Sequence, residues 1–204
     1  MKIIVIAEVE MQKEFESKGI PEGIELHFET KYSESINADV FFYLLDESTI
    51  ANQTWLGKVP APVFVNAVYT TLADLPKNAV RINGWNSFIK RPVAEVVFGQ
   101  DNAEVAKQIL TTLNLNYQEV PDAPGMIAPK VIAMIINEAY FALEDKVSTK
   151  EEIDTAMKLG TNYPYGPFEW SGIIGLKNIY SLLKKLSESD SRYMPASLLI
   201  KELQ

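Results

Sequence analysis

The stretch D-A-P-G-M-I-A-P-K at residues 122–130 opens a long apolar segment that ends at Glu144. Pro124 and Gly125 break the chain just before this segment, and apolar side chains then recur on nearly every turn of the helix that would follow. A helix that is apolar over most of its circumference is a buried one. The pattern therefore predicts a central helix over residues 126–144, on the order of 30 Å long, with the C-terminal third of the chain packed around it.

Helix start and stop signals follow this segment at short intervals. Ser148 and Glu151 stand in capping-box register, and Gly160 stands where a left-handed C-terminal cap belongs. Pro167 fits the first turn of the next helix, and Gly175 separates that helix from a further one. These signals predict a cluster of helices after the long apolar segment.

Three motifs in this region resemble one enzyme family. They are D-x-P-G-M-I at residues 122–127, I-D-T-A-M-K-L-G-T-N-Y-P-Y-G-P-F-E at residues 153–169, and P-A-S-L-L-I-K-E-L at residues 195–203. Together they resemble the C-terminal domain of the 3-hydroxyacyl-CoA dehydrogenases. The resemblance implies a helical domain that makes a dimer contact and helps to close an acyl-CoA cleft over a separate NAD-binding domain.

Composition limits the kinds of partner that the chain can have. It has 204 residues, 47% of them hydrophobic and 23% charged, which suits a globular protein of one large or two small domains. The formal net charge of −8 argues against nucleic acid and anionic membrane surfaces as partners. The absence of cysteine excludes disulfides and thiolate chemistry, and it fits a cytoplasmic protein. No apolar run approaches the roughly eighteen residues that a membrane span needs.

The N-terminal 120 residues alternate short apolar runs with helical patterns. This alternation predicts an α/β sheet, so the expected fold is a shortened Rossmann-like domain at residues 1–120, followed by an all-α helical domain at residues 121–204. Helices are expected at residues 8–18 and 47–57, and a capping box of Asp101 and Glu104 is expected to open another. The expected strands are residues 2–7, 24–30, 40–45, 63–65, 79–83, 93–98 and 115–120.

The turn after the first strand departs from the family pattern. A Rossmann dehydrogenase binds its pyrophosphate at a glycine-rich turn, where the backbone approaches the phosphates closely. Here the turn reads A-E-V-E-M-Q-K at residues 7–13, without glycine and with the carboxylates Glu8 and Glu10. The resemblance implies NAD, but the residues predict that the usual mode of NAD binding is lost, so no cofactor is assigned.

The catalytic residues also differ from those of the family. The family carries its proton-transfer histidine in a G-x-H-F-F-N-P stretch, which corresponds to G-W-N-S-F-I-K-R-P at residues 84–92. Asn86 stands at the histidine position, and an amide cannot act as a general base near neutral pH. Glu95 matches the glutamate that pairs with the histidine. The resemblance therefore implies a catalytic position, Asn86 with Glu95, that has lost its base.

Several other side chains have both a binding interpretation and a structural one. The residues expected to line the ligand cleft are Asn66, Trp85, Phe88, Lys90 and Arg91. Lys90 and Arg91 would meet the phosphates of a CoA tail, although an exposed basic pair is the simpler interpretation. His27, the only histidine, is expected to face solvent, and Asp154 is expected on a solvated helix face with Glu151 and Glu152. No metal-binding constellation is apparent.

Three functions remain open from the sequence. The first is a 3-hydroxyacyl-CoA dehydrogenase-like protein that binds an acyl-CoA or another small molecule without redox chemistry. The second is an active NAD-dependent 3-hydroxyacyl-CoA dehydrogenase with an unconventional site. The third is a non-catalytic dimerisation or scaffold module, because an apolar helix such as residues 126–143 often buries one side against a partner subunit. A homodimer through the helical domain is the expected assembly.

Overall fold

A computed structural model describes all residues from 1 to 204. The chain forms two compact units, Met1–Met126 and Ile127–Gln204. The first unit is a sheet with helices and the second is wholly helical, so the predicted fold class is confirmed. No helix of the chain combines the length and the apolar character that crossing a bilayer requires.

The first unit is built on one seven-stranded sheet with the order β2-β1-β3-β4-β5-β6-β7. All neighbouring strands run parallel except β5 and β6, which are antiparallel. The mixed sheet places the carboxyl ends of the first five strands, and the amino ends of the last two, at one edge. The strands are β1 Lys2–Ile6, β2 Glu25–Glu29, β3 Val40–Tyr43, β4 Val63–Asn66, β5 Ala79–Ile82, β6 Ala94–Val97 and β7 Tyr117–Glu119.

Apolar side chains cover both faces of this sheet because strand residues alternate in direction. Ile3 and Val5 point into one core, which the helices α1, Val9–Glu16, and α2, Ala103–Thr112, also enter. Ile4 and Ile6 point into a second core on the other face, together with side chains from residues 41–67. Burial on both faces explains why the central strands are continuous apolar runs rather than alternating ones.

Two helix predictions for the first unit are wrong. Residues 47–57 do not form an α-helix; a short 3₁₀ helix, Glu47–Asn52, stands there instead, capped by the Asp46 side chain. The expected capping box at the start of α2 is also absent, because Asn102 occupies the N-cap position. Its side-chain amide donates to the Lys77 and Ala79 carbonyls at 3.2 and 3.0 Å, so it binds the sheet rather than the helix.

The second unit packs its helices around the long apolar one, as predicted. This helix, α3, is Ala128–Glu144, with Pro129 in its first turn. Its buried Asn137 accepts from the Ala196 amide and donates to the Met194 carbonyl, both at 2.9 Å, which fixes the segment before the last helix. The remaining helices are α4 Lys150–Thr161, α5 Pro167–Ile174, α6 Leu176–Ser187 and α7 Ser197–Glu202.

The ends of α4 differ from the prediction by one or two residues. The capping box consists of Thr149 and Glu152, which have the same spacing as the predicted pair Ser148 and Glu151. Gly160 lies inside the helix, and Asn162 takes the left-handed conformation that ends it, with φ of 56°. Asparagine tolerates this conformation better than other non-glycine residues. The predictions for Pro167 and Gly175 are confirmed, since Pro167 begins α5 and Gly175 has φ of 92° before α6.

Asp154 is buried and does not face solvent, so its predicted place on a solvated helix face is wrong. Its carboxylate accepts from the Phe168 and Glu169 amides at 2.8 and 3.1 Å, and these amides belong to the first turn of α5. A Cβ atom on Gly166 would lie 2.3–2.4 Å from the Asp154 side chain. The motif that contains these residues therefore joins α4 to α5, and Gly166 is glycine because the carboxylate fills the space beside it.

We expect the substitution Gly166→Ala to destabilise the protein by about 1–3 kcal/mol, since the new methyl group displaces the Asp154 carboxylate from its two amides. Gly160→Ala is the matched control. A Cβ at this helix-interior position meets nothing within 4 Å, so the substitution should stabilise by up to about 1 kcal/mol. Urea unfolding followed by circular dichroism measures both changes. Equal effects of the two substitutions would contradict a close contact between Gly166 and the Asp154 carboxylate.

Candidate functional site

Loops that carry polar side chains follow three strands where those strands end, on one side of the sheet. Residues 46–47 follow β3, residues 67–71 follow β4, and residues 83–91 follow β5. Glu95 of β6 reaches the same edge because β6 is antiparallel to β5, and its carbonyl accepts from the Asn83 amide at 3.0 Å. Ligands of open α/β sheets bind outside the carboxyl ends of the strands. This edge is therefore the candidate site.

A buried carboxylate organises the loop after β4. Glu47 is 2% exposed, and it accepts from three successive amides, those of Val68 at 2.7 Å, Tyr69 at 2.9 Å and Thr70 at 2.5 Å. Burial raises the pKa of Glu47 to about 7, and the hydrogen bonds from Thr70, Val68 and Tyr69 oppose that shift. The loop thus closes around a group that titrates near neutrality.

A buried cation holds the same loop from the other side. The Arg81 guanidinium donates to the Ala67 and Val68 carbonyls, both at 3.0 Å, and to the Ala123 carbonyl at 3.2 Å. It also pairs with Asp122. Burial lowers the pKa of Arg81, and the Asp122 carboxylate opposes that shift. Each nitrogen of the guanidinium has an acceptor, as burial of a charge requires.

Asn66, a predicted ligand contact, lies beneath the site. It is buried, its side-chain nitrogen donates to the Leu45 carbonyl at 3.1 Å, and its side-chain oxygen accepts from the Gly84 amide at 3.1 Å. A Cβ on Gly84 would stand 2.7 Å from the Cβ of Asn66. The structure therefore gives Asn66 the role of joining the ends of β3 and β4 to the loop after β5. Its contact with a ligand stays a prediction.

The loop at residues 84–91 carries the other predicted site residues. Asn86, Lys90 and Arg91 are exposed, whereas Trp85 and Phe88 are buried. The Arg91 guanidinium lies 5.2 Å from the centre of the Phe88 ring, within the range of a cation–π contact. The amide of Asn86 and the cations of Lys90 and Arg91 thus face solvent, while the aromatic rings of the loop are buried beneath them.

The start of α1 lacks the glycine-rich turn of a Rossmann dinucleotide site. Glu8 precedes the helix without capping it through its side chain, and both Glu8 and Glu10 are exposed. The Gln12 amide donates to the Ala7 carbonyl at 2.7 Å and to the Glu29 carbonyl at 3.4 Å, so it closes the space over the ends of β1 and β2. A side chain and two carboxylates thus occupy the place where a Rossmann protein brings glycine backbone to a pyrophosphate.

The remaining titratable candidate from the sequence is His27. No group of three histidine, cysteine, aspartate or glutamate side chains is arranged to hold a metal ion. His27 is exposed on β2, and its ring nitrogen lies 2.7 Å from the Glu25 carboxylate. The loop of residues 84–91 offers an amide and two cations beside Glu95, and such groups can bind and orient a ligand.

The fold and the site define a Rossmann-like α/β protein with a helical C-terminal unit. Residues 125–203 match the family described as 3-hydroxyacyl-CoA dehydrogenase, C-terminal domain. The chain is 33% identical over 137 residues to a 3-hydroxybutyryl-CoA dehydrogenase of Bradyrhizobium diazoefficiens, covering 64% of this chain and 47% of that one. It is 47% identical over 83 residues to the 3-hydroxyadipyl-CoA dehydrogenase of Escherichia coli K12, covering 40% of this chain and 18% of that one.

A solved structure extends the likeness to the whole fold. The (S)-3-hydroxybutyryl-CoA dehydrogenase PaaH1 from Ralstonia eutropha superposes with a TM-score of 0.73 and 14% identity, over 99% of this chain and 93% of that one. The helical unit, at residues 125–203, carries the family match, and sequence similarity to the 3-hydroxybutyryl-CoA dehydrogenase extends over 64% of the chain. The sequence matches quoted above span half or less of the length of those relatives.

The sequence did not reveal two carboxylates that support the site, Glu47 and Glu14. Glu47 could have been noticed, because it stands with Asp46 directly after the unbroken apolar run of residues 40–45. Glu14 lies on an ordinary amphipathic helix and contacts the Ser87 amide, 73 residues away. Only the fold brings that pair together.

We expect the stability of the protein to fall between about pH 5 and pH 7.5 through Glu47. A carboxyl whose folded pKa is raised contributes its stability below its unfolded pKa of about 4.5, and loses it as the pH rises through its folded pKa of about 7. The loss amounts to about 3 kcal/mol. Urea unfolding of the wild type and of Glu47→Gln across this range measures it, since glutamine does not titrate. Parallel profiles of the two proteins would count against a raised pKa.

Proposed function

We propose that this chain is a 3-hydroxyacyl-CoA dehydrogenase-like protein that binds an acyl-CoA, or a related small molecule, without transferring hydride. One observation carries the proposal: the exposed position that resembles the family's proton-transfer position is Asn86, on a loop whose supports are intact. An amide there can hydrogen-bond a thioester or hydroxyl oxygen, but it cannot take a proton from it near neutral pH.

The cofactor side of the first unit supports the same proposal. The turn at residues 7–13 has no glycine, and its carboxylates Glu8 and Glu10 would repel a pyrophosphate. Gln12 uses backbone acceptors at the ends of β1 and β2. The proposed protein therefore does not bind NAD at this turn in the usual way.

The outward cations give the proposed ligand its chemical class. Lys90 and Arg91 are adjacent and exposed at the end of the loop that begins with Trp85 and Asn86. Guanidinium and ammonium groups suit the phosphates of a CoA nucleotide. The proposed arrangement has Lys90 and Arg91 bind phosphate and Asn86 orient the acyl carbonyl, with Glu95 as a neighbouring acceptor. No covalent step follows from these groups.

We expect acetoacetyl-CoA to give saturable heats in titration calorimetry, and NADH to give none. The double substitution of Lys90 and Arg91 by alanine should weaken acetoacetyl-CoA binding by about threefold to tenfold, because exposed charge pairs contribute up to about 1 kcal/mol each. The matched control replaces Lys58 and Lys77, two exposed lysines of the same unit, and should leave the affinity within about twofold of the wild type.

The same samples decide between this proposal and an active dehydrogenase with an unconventional site. NADH heats together with oxidation of NADH by acetoacetyl-CoA, followed at several pH values, would favour the enzyme. Absence of heats with acetoacetyl-CoA and with free CoA would rule out the proposed acyl-CoA binder. If the double variant and its control lose affinity for acetoacetyl-CoA equally, Lys90 and Arg91 do not contribute to the binding site.

A specific surface favours a second proposal, that the chain is a homodimer through its helical unit. Ile127, Val131 and Phe141 are exposed, Val131 by 53%, although α3 is otherwise the buried helix of this unit. Val131 and Phe141 follow Ile127 by four and fourteen residues, which places all three side chains in one stripe along the helix. The charged residue Glu138 lies in the same stripe. Apolar side chains aligned in this way suit a self-complementary contact with a second copy.

We expect the wild type to sediment as a dimer at micromolar concentration and Val131→Glu to sediment as a monomer, because the new carboxylates of both copies would be buried together. Leu159→Glu is the control, since Leu159 is 83% exposed on α4 and outside the stripe. Analytical ultracentrifugation measures both. A monomeric wild type would remove the dimer proposal, and it would leave the ligand proposal untouched.

A further inference from the structure

The loop that carries Asn86 has a strained backbone that needs support from outside the loop. Ser87 has φ of 72°, in the left-handed region that a non-glycine residue adopts at a cost. It is also buried, so water does not satisfy its amide. The conformation at Ser87 decides which way the neighbouring Asn86 side chain is presented.

The support comes from the first helix of the chain. The Ser87 amide donates to both carboxylate oxygens of Glu14 on α1, at 2.8 and 3.0 Å. Two residues after the end of α1, the Lys18 ammonium donates to the Arg91 carbonyl at 2.5 Å. Between these two contacts, Phe15 and Ile89 lie in the same apolar core and line one small cavity. The helix and the residues directly after it therefore contact the loop at Ser87, Ile89 and Arg91.

This contact set also explains which loop side chains reach the surface. Ser87 and Ile89 are buried against α1, whereas Asn86, directly before Ser87, and Lys90, directly after Ile89, are exposed. Charge-assisted hydrogen bonds to carboxylates are stronger than neutral ones, so Glu14 is the dominant polar contact at Ser87. Without the Glu14 carboxylate, the cost of the left-handed conformation at Ser87 would favour another backbone conformation of the loop, and the Asn86 side chain would move.

We propose that Glu14 is a positioning residue, and that α1, which does not suit a dinucleotide, holds the loop of residues 84–91 in its ligand-binding conformation. The proposal rests on the proposed function for its ligand, but the loop conformation can be measured without any ligand. Lys18 has the same role at the other end of the loop. Neither side chain needs to touch the ligand.

The test compares Glu14→Ala, Glu14→Gln and the control Glu16→Ala, an exposed glutamate on the same helix. Glutamine retains an oxygen that can accept from the Ser87 amide, so it should rescue what alanine loses. Hydrogen exchange by mass spectrometry reports on the amides of residues 85–91, with β3 as the internal reference for global stability. Calorimetry with acetoacetyl-CoA reports on the affinity.

We expect Glu14→Ala to lose protection over residues 85–91 but not in β3, and to weaken acetoacetyl-CoA binding by about tenfold. Glu14→Gln and Glu16→Ala should behave like the wild type in both measurements. Lys18→Met, which retains the apolar stem, should lose protection mainly toward residue 91. This pattern supports the proposal, because a purely global effect would reduce protection in β3 as well.

Other results would overturn it in distinguishable ways. Unchanged protection in Glu14→Ala would show that the loop is fixed without the carboxylate. Lost protection with unchanged affinity would separate the loop conformation from ligand binding. If the wild type binds no acyl-CoA, the ligand part of the inference fails with the proposed function. Hydrogen exchange of the amides of residues 85–91 then still shows whether Glu14 fixes the loop conformation.

Discussion

The buried guanidinium of Arg81 is the interaction on which the arrangement at the sheet edge depends. A charge with no exposure to water must have its donors satisfied, and Arg81 meets this need with the carbonyls of residues 67, 68 and 123 and with Asp122. These acceptors come from the loop after β4 and from the end of the first unit. Glu47 then binds the amides of the same loop, so a buried guanidinium and a buried carboxyl group fix the carbonyl and the amide sides of one short segment.

The parts of the fold that could be predicted from sequence are those set by short-range patterns. The strands are short apolar runs, and α3 is apolar on most of its surface, so both were located correctly. Errors arose where equivalent patterns compete or where a partner lies far away. Ser148 with Glu151 has the same spacing as Thr149 with Glu152, and only the actual helix start distinguishes them. The burial of Asp154 depends on amides fourteen and fifteen residues away, which no helical pattern contains.

The candidate site divides in the same way. The positions of Asn86 and Glu95 followed from a resemblance between short motifs, and the structure places both near the end of β5. The groups that hold the site were not accessible from sequence, because Glu14 and Ser87 are 73 residues apart and Glu47 is about twenty residues from the amides it binds. Carboxylates that accept from distant backbone amides recur through the chain, at Glu14, Glu47 and Asp154. Such residues look like ordinary surface acids until the fold is known.

The two outermost strands of the sheet, β2 and β7, influence whether the chain aggregates in a crowded solution. An edge strand with free backbone groups is a template on which another chain can add a strand and start aggregation. One edge here is β2, whose five residues include Glu25, His27 and Glu29, and the other is β7, which is only three residues long and ends in Glu119. Both edges are therefore charged, and one is also short, which discourages strand addition. The sheet can thus remain apolar on both faces and in its centre without promoting fibril-like growth from its rims.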